Sequence, residues 1–179
     1  MSGVLVAGIG NIFLGDDGFG PEVARRITAE PAEVPRGVRV VDYGIRGVHL
    51  AYDLLDGVDA LVLVDALPGS DPPGTVSVLE VGRDDFPIAG ALGVDAHDLH
   101  PTAVLASVEQ MGGELPPTYV VGVQPEGVDE GIGLSAPVAA AVDGAVAAVR
   151  RLVCELVANR TLVANRTLVA DRTGAQSCA

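Results

Sequence analysis

Asp16 and Asp17 stand side by side inside the stretch GIGNIFLGDDGFG, residues 8–20, where glycines let a backbone approach a ligand closely. A third carboxylate, Asp65, closes the apolar run LVLVD, and two imidazoles, His97 and His100, lie in DAHDLHP. Carboxylate oxygen and imidazole nitrogen are the donors that hard and borderline cations favour. Four apolar residues run directly into Asp65, so the core fixes its backbone while the side chain is presented at a strand end. Its ordinary alternative is to cap the turn before Pro68 and Gly69.

Pro101 biases His100 away from helical geometry, so the HxxH spacing is no zincin-like helix motif. A single loop imidazole is the expected ligand. His97 is the candidate, with Asp98 able to orient it; His100 is read as a capping or supporting residue and His49 as an ordinary helix residue. No Ser lies in a GxSxG elbow, and Cys154 and Cys178 have no CxxC spacing and are read as free thiols. The chemistry therefore points to a metal-activated water or a polarised carbonyl.

Gly8-x-Gly10 after a strand, with Asp42 ending the next, also suggests a dinucleotide turn. Position 13 is Phe where a third glycine belongs, and about ten residues separate Gly10 from the helix that should underlie the phosphates. Asp16 and Asp17 would repel a pyrophosphate. A cation removes the conflict.

These residues need elements to position them. Val4–Ala7, Gly37–Asp42, Asp59–Ala66, Thr75–Val81 and Thr118–Val123 read as strands, the fourth as an edge. Helices are expected from Pro21 to about Glu30 and over Val48–Leu55, Pro101–Gln110 and Pro137–Leu152. This alternation predicts an α/β fold, a single three-layer domain with a mostly parallel twisted sheet of about five strands and helices on both faces. Ligands of such sheets sit at the carboxyl ends of the strands, which selects the loops after Ala7, Asp42, Ala66 and Val123.

The chain has 179 residues, is 49% apolar and carries a formal charge of −13, with no Lys. That length accommodates one domain, assigned to 1–153. The acidic, aromatic-poor composition argues against nucleic acid and anionic membranes as partners. The apolar N-terminal run is broken by Gly8, Gly10 and Asn11 and reads as the first strand of a cytoplasmic protein. Residues 154–179 hold LVANRT twice and LVADRT once; the repeat could extend the last helix, but six residues match neither secondary-structure period well, and a partly disordered tail without assigned function is expected.

Four segments, GIGNIFLGDDGFGPEV, VLVDA, AHDLHPTAVL and VVGVQPEGVDEGIGLSAPV, occur in the order and spacing of the hydrogenase maturation proteases, which the chain resembles over about residues 3–153. The resemblance implies a nickel-dependent endopeptidase that removes the C-terminal extension from the nickel-loaded precursor of a nickel-iron hydrogenase large subunit. It carries the metal ligands onto Asp17, Asp65 and His97, with nickel supplied by the substrate and other divalent ions able to substitute. Asp16 then either accepts a proton from the attacking water or holds the loop, which Gly8, Gly10 and Asn11 shape. One departure is Gly44-Ile-Arg-Gly47, where many relatives have a Gly-Thr pair, so Arg46 could engage a carboxylate on the partner. A non-catalytic nickel-recognition or checkpoint module for hydrogenase assembly is the alternative the residues also allow. Sequence does not specify the oligomeric state.

Overall fold

The computed structural model describes residues 3–81 and 101–174. Five strands, β1 (Val4–Ile9), β2 (Val38–Gly44), β3 (Ala60–Ala66), β4 (Val76–Val81) and β5 (Thr118–Val123), form one sheet in the order β2-β1-β3-β5-β4. β1 pairs in parallel with β2 and β3, and β3 with β5; β4 alone runs antiparallel, on the edge beside β5. The helices are α1 (Phe19–Ala29), α2 (Gly47–Leu55), α3 (Pro101–Gln110) and α4 (Ala136–Gly174), with short 3-10 turns at Gly15–Gly18 and Pro31–Glu33. The α/β architecture expected from the alternation is the one observed.

Strand periodicity divides the core in two. Val4, Val6, Val62, Val64, Val121 and Val123 face α1 and α4, where Phe19, Val23 and Ile27 meet Val138, Val142, Ala145, Val149 and Val153. Leu5, Ala7, Leu61, Leu63 and Val120 face the other way, against Leu50, Ala51 and Leu54 of α2 and Val104, Leu105 and Val108 of α3. β1 and β3 are buried along their whole lengths because both faces are covered, which is why they read as unbroken apolar runs. Asp65 continues the odd-numbered series of Leu61 and Leu63 at the carboxyl end of β3.

Polar contacts tie the layers together at their edges. The Tyr43 hydroxyl donates to Asp53, which also accepts from Arg39, joining β2 to α2. Burial and the hydrogen bond to Asp53 push the Tyr43 phenol up, so it remains a neutral donor throughout the physiological range. Arg26 binds Asp143, and Arg150 reaches Glu30 and Glu33, linking α1 and its following turn to α4. Such exposed pairs each contribute about 1 kcal/mol or less.

Two sequence expectations change. The first strand and the second extend to Ile9 and Gly44, because glycines at strand ends do not prevent pairing where a neighbouring strand supplies the partners. The final helix does not stop at Leu152 but continues through the repeats to Gly174. Up to Gly174 the repeats are therefore helical. Leu, Ala and Arg are good helix formers, and no Pro or Gly interrupts the sequence between Gly144 and Gly174. Leu156 and Val157 still pack on the core shared by α1 and α4.

Candidate metal-binding active site

The acidic loop begins where β1 ends and is shaped by close backbone contacts. Gly10 has φ +133°, and a Cβ there would lie 1.8 Å from the Asp17 carbonyl oxygen, so no other residue fits. Asn11 Oδ1 accepts the Phe13 N–H at 3.0 Å, an Asx turn that folds the loop back as its composition suggested. The chain then enters the 3-10 turn carrying both acids.

These two neighbours have different surroundings. Asp16 is 1% exposed and accepts four hydrogen bonds: from the Ser135 N–H and hydroxyl, and from the N–H groups of Glu126 and Gly127. Burial pushes its carboxyl up, but those four bonds outweigh burial and hold it below the ordinary range. Asp17 is half-buried and accepts the Asn11 N–H at 2.6 Å through one oxygen.

Asp65 lies across from this turn. It is 6% exposed and accepts one backbone hydrogen bond, from Ala66 N–H at 2.8 Å. Burial, followed by the negative charge of Asp17, pushes its carboxyl up to about 7. The two acids are thus brought within electrostatic reach from separate strand ends. A pair whose charges oppose each other in a poorly solvated place is suited to a cation, which would favour both ionised forms.

The donors that a dinucleotide would use are already committed. The Asn11 N–H is held by Asp17 and the loop's acids face inward, so the turn offers carboxylate where a phosphate would need N–H groups. Arg46 is also engaged, donating to the carbonyls of Asp42 and Tyr43 at the end of β2. His97, His100 and Asp98 lie outside the described residues. Among the described residues, no three His, Cys, Asp or Glu side chains converge as they would around a metal.

Residues 126–135 were not singled out by their side chains. They nevertheless form the other half of the acidic loop: Gly15 N–H donates to Gly131, Asp16 N–H to Gly127, and Gly131 N–H to Phe13. Leu14 and Gly131 form a short parallel bridge. The glycine-rich GVDEGIGLS run was the available signal, and within it Gly133 adopts φ +100°, a conformation that favours glycine.

Asp16→Ala should therefore destabilise the fold by about 3 kcal/mol, by leaving buried N–H groups without their acceptor. Urea denaturation measures the change. Because the folded-state pKa is depressed, this stabilisation is fully present above the unfolded value of about 4 and is lost as pH falls through the folded value. The wild-type and Ala stability curves should converge on acidification below about pH 4.

Comparison with known proteins decides the family. The family model described as "Hydrogenase maturation protease" matches residues 21–152. The chain belongs to the hydrogenase maturation protease family. The hydrogenase expression/formation protein HupD of Rhodobacter capsulatus is 36% identical over 154 residues, covering 83% of this chain and 70% of that protein. The hydrogenase 2 maturation protease of Escherichia coli is 30% identical over 145 residues, 80% of this chain and 85% of its own. The solved structure of the hydrogenase maturating endopeptidase HybD from E. coli superposes with a TM-score of 0.70 at 27% identity, covering 86% of this chain and 93% of that one. This hydrogenase maturation protease has no helix, among its described residues, long and apolar enough to cross a membrane.

Proposed function

We propose that this protease removes the C-terminal extension from the nickel-loaded precursor of a nickel-iron hydrogenase large subunit, and that the nickel in that precursor is what it recognises. The observation carrying this reading is Asp65, a carboxyl 6% exposed at a strand end and raised to about 7 by burial and by Asp17. Such a site disfavours its own ionised state until a cation arrives. Asp17 and Asp65 supply two oxygens, and His97 completes the set from the sequence four positions before α3, a helix packed on the face toward which Asp65 points.

Two carboxylates and one neutral imidazole leave open positions on the ion for the substrate's thiolates and a water. The ion polarises the scissile carbonyl or lowers the pKa of the water; water's oxygen then bonds to the carbonyl carbon and the C–N bond breaks, the amine leaving with a proton. Asp16 acts in this reading as a positioning residue, since its oxygens are already occupied by four donors. Metal insertion becomes the condition for cleavage, because the enzyme supplies ligands and the substrate supplies the ion.

The test is incubation with unprocessed large subunit, with and without nickel, followed by mass spectrometry of the released peptide. Release only from the nickel-loaded form supports the proposal. Equal release from both forms removes the nickel requirement, and binding without release favours a checkpoint module.

A further inference from the structure

Resting on the function proposed above, we infer that Asn11 is a positioning residue for the reaction: it sets how Asp17 meets the ion, holding one carboxylate oxygen and leaving the other for the metal. Asn11 is joined at three atoms to the turn that carries the acids. Its N–H donates to Asp17 Oδ2 at 2.6 Å, its carbonyl accepts the Leu14 N–H at 3.0 Å, and its side-chain oxygen accepts the Phe13 N–H at 3.0 Å. The Leu14 carbonyl in turn accepts the Asp17 N–H at 3.1 Å, so the chain from 11 to 17 closes on itself.

What the Asn11 side chain adds is direction. The Gly10 N–H is tied to the Gly44 carbonyl at 3.1 Å, which anchors the backbone on the strand side of the Asn11 N–H, and the Asx turn anchors it on the other. A side chain without an acceptor leaves the Phe13 N–H to water and frees the Asn11 backbone to turn away from Asp17. The two adjacent acids differ in what this leaves open. Both oxygens of Asp16 accept hydrogen bonds, whereas Asp17 Oδ1 accepts none from the described residues. One tethered oxygen and one open oxygen present a carboxylate to a cation through a single atom. Groups that orient a ligand from behind in this way account for about 10–100-fold in metal affinity or activity.

The experiment compares wild type, Asn11→Ala and Asn11→Ser for cobalt(II) binding to the free enzyme, followed by the visible bands of the bound ion, and for kcat/KM on nickel-loaded large subunit. Asn11→Ala should bind cobalt about tenfold more weakly and lose a similar factor in kcat/KM, with a melting temperature only about 3 °C lower. Asn11→Ser should recover most of both losses, because its hydroxyl can accept the Phe13 N–H without adding charge. A lowered melting temperature with wild-type cobalt affinity and kcat/KM would reduce Asn11 to a structural turn and overturn the inference. A serine variant no better than alanine, or a wild type that takes up no cobalt, would overturn it as well. Equal wild-type cleavage of nickel-free precursor would instead overturn the proposed nickel recognition, and the three cobalt affinities would still decide the role of Asn11.

Discussion

Asp65→Asn should reduce processing by about a thousandfold, because on the proposed function it removes a charge from the ion and withdraws several kcal/mol of stabilisation from the reacting centre. The same substitution should make the metal-free protein more stable at pH 8. A carboxyl raised from an unfolded value near 4 to about 7 carries no ionisation penalty below pH 4, an increasing one between pH 4 and 7, and its full penalty above. That penalty is on the order of 4 kcal/mol, and Asn avoids it while its side-chain oxygen still accepts the Ala66 N–H. Thermal melts in chelator should therefore separate variant from wild type at pH 8 and bring them together near pH 4. A variant that processes normally, or that gains no stability at alkaline pH, would contradict the assignment of Asp65 as a buried carboxyl awaiting a cation.

Gly20→Ala should give a large stability loss for a single methyl addition inside α1. A Cβ at this position would lie 2.2 Å from the Ile9 carbonyl oxygen and 2.3 Å from that of Val64. Neither backbone can yield without moving β1 or β3, and overpacking of this kind costs about 3 kcal/mol or more. The melting temperature should fall by roughly 10 °C, and processing should fall with it, since α1 would be pushed from the sheet edge that carries Asp65. Gly144→Ala provides the contrast: its Cβ would meet nothing within 4 Å, and the residue lies inside α4. It should be neutral or slightly stabilising, as Ala loses less freedom than Gly in a helix.

The parts legible in sequence are those that short-range pattern determines. LVLVDA had to be a strand buried on both faces, and its final carboxylate had to emerge at the rim. The glycines of GIGNIFLGDDGFG likewise marked a turn of close backbone approach, as at Gly10 against Asp17. What pattern did not reveal was the different work of adjacent aspartates. Asp16 is engaged by Glu126, Gly127 and Ser135, over a hundred positions away, and no local period encodes such a contact. The full extent of α4 was left open for another reason: the six-residue repeat matches neither period and obscured the ordinary helix propensity of Leu, Ala and Arg.

The clasp of Asp16 by Ser135 also orders events during synthesis. A nascent chain that has exposed the glycine loop and β3 still lacks the segment that closes around the first acid. Until the last third of the polypeptide has left the ribosome, the loop has no template to settle on.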